Sequence, residues 1–219
     1  MKINTDGTLL GALGYAANPQ TILDIGTGTG VVALMLAQRF PSAQIDAVEI
    51  EEHAAATATK NFNNSIFSER LKLYSTSFQA LSETFPAKQY SFIVSNPPFF
   101  VNSLKNPDKK KQTARHSDHN FFTELIDFVS NHLEVSGVLS LILPPETGEI
   151  VIELAKVKSL FLSEVTNIRS FKESEVHRKL LTFTRFERQV KENEFVTYSI
   201  QKQYSDQFVS VLNEFFTIF

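Results

Sequence analysis

The chain has 219 residues, 42% hydrophobic and 21% charged, with no cysteine and a net charge of −3. That length and composition support one folded domain, burying about 70% of the unfolded surface, and exclude disordered, collagenous or coiled-coil architectures. Lack of cysteine excludes disulfide scaffolds, thiol nucleophiles and cysteine-zinc sites, while the small negative charge argues against a surface coated for nucleic acid but leaves room for a local basic patch.

In chain order, Met1 to Leu13 lacks the basic-then-apolar pattern of a signal peptide, and no later run approaches the roughly 20 apolar residues of a membrane span. A cytoplasmic location is expected. Thr21–Ile25 reads as a strand running into glycines, and Val31–Arg39 as a helix with Val31, Leu34 and Met35 on one face. Gln44–Glu49 is a second strand, His53–Asn61 an alanine-rich helix, and Leu71–Tyr74 and Ser91–Ser95 the third and fourth strands. Asn102–Asp118 has no apolar periodicity and reads as a surface loop; its length suggests function. Phe121, Phe122, Leu125, Ile126, Val129 and Leu133 recur at helical spacing, so His119–His132 is an amphipathic helix. Gly137–Leu143 is a fifth strand, stopped by Pro144-Pro145, and Glu164–Phe171 and Lys179–Phe186 form two more with a short link. The expected fold is α/β and Rossmann-like: a seven-stranded, mostly parallel sheet with an antiparallel edge hairpin and helices on both faces.

Asp24-Ile25-Gly26-Thr27-Gly28-Thr29-Gly30 leaves a strand and opens a helix. Glycines there allow a tight turn and close approach of a ligand to the backbone. Glu49, 19 residues past Gly30, ends the next strand, where a carboxylate can accept hydrogen bonds from ribose hydroxyls. The glycine spacing departs from the dinucleotide pattern G-x-G-x-x-G. Asp24 would repel a pyrophosphate and suits a cationic ligand, which favours S-adenosyl-L-methionine over NAD. A turn that needs glycine only for packing is the alternative.

Asn96-Pro97-Pro98-Phe99 follows the fourth strand, at the carboxyl end where α/β sheets bind ligands. The Asn96 side-chain oxygen is an acceptor, and two prolines remove N–H donors so that the backbone presents carbonyls. Two adjacent acceptors can hold both hydrogens of an exocyclic amine, draw its nitrogen toward tetrahedral geometry and free the lone pair for attack on a methyl. Phe99 offers a face on which a flipped base can stack, worth about 1–3 kcal/mol. No general base is required, because alignment and proximity limit such a transfer. A proline-stiffened turn with a packed phenylalanine is the plainer alternative.

With these residues in hand, Asp24–Gly30, Glu49 and Asn96–Phe99 resemble the motifs of class I S-adenosyl-L-methionine-dependent amino-methyltransferases. Met1-Lys2-Ile3-Asn4-Thr5-Asp6-Gly7-Thr8-Leu9-Leu10-Gly11 resembles the N-terminal motif of bacterial valine-tRNA adenine-N6-methyltransferases, which modify the adenine 3′ to the anticodon. Ala114-Arg115-His116, the Gly137–Pro144 strand and the Tyr204–Phe219 ending are similar to that family as well. The resemblance implies that Asp24, Gly26, Thr27, Gly28 and Gly30 surround the cofactor and that Glu49, followed by Ile50, holds its ribose. It also implies that Lys2, Thr5, Asp6 and Gly7 line the cofactor mouth, and that Asn96 and the Pro97 carbonyl hold the target amine, with Pro98 between them and the stacking Phe99. Ser77-Phe78 stands where the family often has Asp-Phe, so Ser77 would meet the cofactor's adenine without a charge. The family usually carries a β-hairpin ahead of the Lys2 motif. The expected organisation is one methyltransferase domain over residues 1–219 without that hairpin.

Lys105, Lys109, Lys110, Lys111 and Arg115 give the segment after Phe99 a local excess of four positive charges and are the candidate RNA contacts. Arg169–Lys191 carries the same excess and reads as a salt-bridged hairpin face. The histidines show no ligand-like grouping, so no metal is expected. Phe121, Phe122, Phe215 and Phe216 read as core. The expected partner is tRNA, with no membrane, and the chain is expected to be a monomer. Methylation of a guanine N2 in rRNA, methylation of a protein glutamine amide, and a non-catalytic cofactor- and RNA-binding module are the rival readings.

Overall fold

A computed structural model describes residues 4–97 and 107–216, with side chains from residue 120 onward in the second segment. Helix α1 (Thr5–Leu13) precedes the alternation β1 (Thr21–Ile25), α2 (Val31–Arg39), β2 (Gln44–Glu49), α3 (Glu52–Asn63), β3 (Leu71–Ser75), α4 (Phe78–Thr84) and β4 (Tyr90–Ser95). Then follow α5 (Pro107–His132), β5 (Leu133–Leu143), α6 (Pro145–Val157), β6 (Phe161–Arg169), β7 (Val176–Thr184) and β8 (Lys191–Val196). A small hairpin, β9 (Tyr198–Ile200) and β10 (Gln203–Tyr204), leads to α7 (Asp206–Leu212).

The main sheet runs β3-β2-β1-β4-β5-β7-β6-β8. Strands β3 to β5 in that order are parallel, and β7 is antiparallel to both neighbours. Adjacent residues feed opposite cores. Ile22, Phe92 and Val94 pack beneath α1, α2, α3 and α7, whereas Leu23, Ile93 and Leu141 pack beneath α4, α5 and α6. A sheet buried on both faces explains the continuous apolar runs of β1 and β4.

The expected α/β, mostly parallel sheet with helices on both faces is present; α1, α4, α7 and the β9–β10 hairpin are additions to it, and three further differences have a local reason. An eighth strand, β8, pairs parallel to β6 and covers the hairpin expected at the edge. Its sequence, Lys191-Glu-Asn-Glu-Phe-Val, buries only Phe195, so it carries none of the apolar alternation that marks a half-buried strand. Second, the segment read as a loop is helical from Pro107 onward; residues 102–106 lie outside the described residues. Proline suits the first helical turn, and Lys, Gln, Ala and Arg are good helix formers. Third, Pro145 not only stops β5 but also opens α6, at its first position.

The register of β1 against β4 positions the site. Ile25 pairs with Ser95, and the Ser95 hydroxyl donates to the Ile25 carbonyl at 2.8 Å. The glycine loop and Asn96 therefore emerge side by side from the carboxyl ends of adjacent strands. On this side the sheet order reverses, which opens a crevice for a ligand. Gly30 completes the loop with φ 88°, and a Cβ there would meet Phe62 Cε1 at 2.5 Å. Gly30→Ala is expected to destabilise the fold by about 2–4 kcal/mol, from left-handed strain plus overpacking, read as a lower urea midpoint.

Candidate active site

The glycine loop is tied down by its neighbours. The N–H groups of Gly26 and Thr27 donate to the Val48 carbonyl at 2.9 and 3.0 Å. The Gly28 N–H donates to Glu49 Oε2 at 2.8 Å, and the other carboxylate oxygen accepts from Glu51 N–H at 2.9 Å. Glu49 thus braces both the loop and the entry to α3, with a lone pair on each oxygen left for a ligand hydroxyl. Asp24 is 1% exposed and accepts from the Thr27 hydroxyl at 2.6 Å. Burial pushes its carboxyl up to about 7, opposed by the Thr27 hydroxyl and the Ala33 N–H and reinforced by the charge of Glu49.

Asp24, Gly26, Thr27, Gly28, Val48 and Glu49 border a cavity of about 870 Å³, together with Ile50, Ser77, Phe78, Asn96 and Pro97. Helix α1 closes it with Asp6 and Gly7. Ile50 is 73% exposed, an apolar side chain beside the carboxylate. Ser77 caps α4, its hydroxyl accepting from Ala80 N–H at 3.2 Å, so its oxygen already serves the helix. Thr5 and Gly30 are not on the wall: Thr5 is exposed on the first turn of α1, and Gly30 packs on Phe62. Lys2, Pro98, Phe99 and Lys105 lie outside the described residues. So do the side chains of Lys109, Lys110, Lys111 and Arg115, whose backbone belongs to α5.

Among the wall residues that the sequence does not mark as part of a site, Arg178, Phe121 and Asn4 bear most on its chemistry. Arg178, on β7, borders the cavity and donates from Nε to Asp6 Oδ2 at 2.7 Å. The two are 172 positions apart, which no local motif can reveal. Phe121 lines the cavity as well as packing on Phe78 and Phe122. Asn4, which caps α1 by accepting from Gly7 N–H at 2.7 Å, also accepts from Asn96 Nδ2 at 3.3 Å; its place in the N-terminal motif was the available signal.

The second basic stretch is largely committed to the protein. Arg169 pairs with Glu194 at 2.9 Å and Lys179 with Glu149 at 2.6 Å, and Arg185 donates to the Ser130 and Leu133 carbonyls at 2.6 and 2.9 Å. His132 is buried, stacked on Phe128 and bound to the Ser82 hydroxyl and the Lys88 carbonyl. Among the described residues no cluster of three or more histidine or acidic side chains could hold a metal ion, and no helix is long and apolar enough to cross a membrane.

Residues 7–148 match the family model of the methyltransferase small domain. A Pedobacter heparinus protein named tRNA1(Val) (adenine(37)-N6)-methyltransferase is 43% identical over 219 residues, covering 100% of this chain and 92% of the relative. The chain belongs to this methyltransferase family. A relative of the same name from Flavobacterium psychrophilum is 38% identical over 99% of the chain and 92% of its own length. Among solved structures, a predicted O-methyltransferase of Agrobacterium tumefaciens has the same fold, with a TM-score of 0.72 at 19% identity over 96% of each chain.

S-adenosyl-L-methionine is the cofactor of a methyltransferase with this fold, and the residues present fit it. Asp24 and Glu49 supply acceptors for cationic and hydroxyl groups. Gly26 has φ 70°, and a Cβ there would meet nothing within 4 Å, so the loop lies open to close approach. Exposed Ile50 offers an apolar surface to a base.

Proposed function

We propose that the chain methylates N6 of adenine 37 in valine tRNA, the reaction named for its relatives. When bound, S-adenosyl-L-methionine supplies an electrophilic methyl. The chain's own part is to hold the cofactor with the glycine loop and Glu49, to exclude water, and to present the target amine. Asn96 Oδ1 and the Pro97 carbonyl accept the two amine hydrogens, Phe99 stacks on the base, and the basic residues Lys105, Lys109, Lys110, Lys111 and Arg115 meet RNA phosphates. The observation that carries this reading is the β1–β4 register, which brings Asn96 beside the glycine loop on one cavity.

Tritium-labelled methyl transfer to total tRNA from a strain lacking the activity, followed by nucleoside analysis, tests it. Label is expected in N6-methyladenosine of valine tRNA; label in rRNA guanine or in protein glutamine would contradict it.

A further inference from the structure

An asparagine amide can present either its oxygen or its NH2 to a substrate, and only the oxygen can accept from an amine. In this chain the choice is made by a second asparagine. Asn4 Oδ1 accepts from the Gly7 backbone N–H at 2.7 Å. A backbone N–H can only donate, so the Asn4 atom facing it must be the oxygen. That same oxygen lies 3.3 Å from the Asn96 side chain, and the atom opposite an acceptor must be the NH2. The planar amide of Asn96 then turns its oxygen away from Asn4. Were Asn96 flipped, two oxygens would face each other and the NH2 would confront a target amine that also donates. Gly7 leaves room for the pair: a Cβ there would lie 3.0 Å from Asn4 Oδ1 and 3.5 Å from Asn96 Nδ2.

We infer that Asn4 is a positioning residue, which fixes the amide of Asn96 so that its oxygen is the group offered to the target amine. The inference rests on the reading of Asn96 as the amine acceptor. It gives helix α1 a chemical task beyond closing the cavity, because the first turn of the helix orients a side chain from the end of β4.

The test separates capping from orientation. Serine caps a helix as well as asparagine does but is too short to reach Asn96. Asn4→Ser is therefore expected to keep the urea midpoint and the cofactor dissociation constant while lowering kcat on valine tRNA about tenfold, with KM for tRNA little changed. Asn4→Asp, which keeps an acceptor at the same reach, is expected to recover most of the lost turnover. Wild-type kcat in Asn4→Ser, or an Asn4→Asp variant no better than Asn4→Ser, would overturn the role of Asn4. Full activity in Asn96→Ala would instead overturn the underlying reading of the site, so the two failures are distinguishable.

Discussion

Asn96→Ala is expected to lower methyl transfer to tRNA by about 10²–10³-fold, the usual cost of losing one preorganised group aimed at developing charge. Positive charge grows on the amine nitrogen as it attacks, so an acceptor on its hydrogens binds the transition state more tightly than the ground state. The loss should appear in kcat. Cofactor affinity should change little, because Asp24, the glycine loop and Glu49 remain braced by their own hydrogen bonds. Asn96 is only partly buried at the cavity rim, so the variant should fold normally. Rapid-quench turnover and calorimetric cofactor binding on one preparation check both halves of this expectation.

The second large effect is a pH dependence seated at Asp24. Its carboxyl is pushed from 3.8 up to about 7, mainly by burial. Between those values the folded chain holds a proton that the unfolded chain has released. The stabilisation is fully present below 3.8 and is lost as pH rises through about 7. The loss is on the order of 4 kcal/mol for the ligand-free protein. Urea midpoints should therefore fall between pH 5 and pH 8, and Asp24→Asn should flatten that fall, the difference between the two proteins isolating this residue. Binding a cationic ligand reverses the preference. Affinity for S-adenosyl-L-methionine should rise over the same window, with proton release visible as a buffer-dependent binding heat. Affinity independent of pH would mean that Asp24 does not face the ligand's positive charge.

The parts legible from sequence were those whose chemistry is local. β1, its glycine loop and Glu49 could be read because a strand, a turn and a terminal carboxylate follow one another within 29 residues. The main strands were legible because each buries a dense apolar run. Elements without such a run were missed: β8 buries one phenylalanine, and the start of α5 is charged. Helix α1 was visible as a motif but not as a helix, since Gly7, Thr8 and Gly11 fill its buried face along with Leu9 and Leu10. Local sequence also cannot show that Gly30 has a packing reason to be glycine, because Phe62 occupies the space beside it. Arg178 and Asn4 reach the cavity only through tertiary structure. Arg178 appeared merely as one charge in a basic stretch until β7 placed it against Asp6.

Transfer to a single exocyclic amine is checked with a pair of substrates that differ only in the base that carries it. Two valine tRNA transcripts, one with adenine and one with guanine at position 37, are incubated with the chain and labelled S-adenosyl-L-methionine, and their nucleosides are separated. The expected result is one N6-methyladenosine per adenine-37 transcript and no label in the other. Equal labelling of both transcripts, or label recovered in a nucleoside other than N6-methyladenosine, would contradict it.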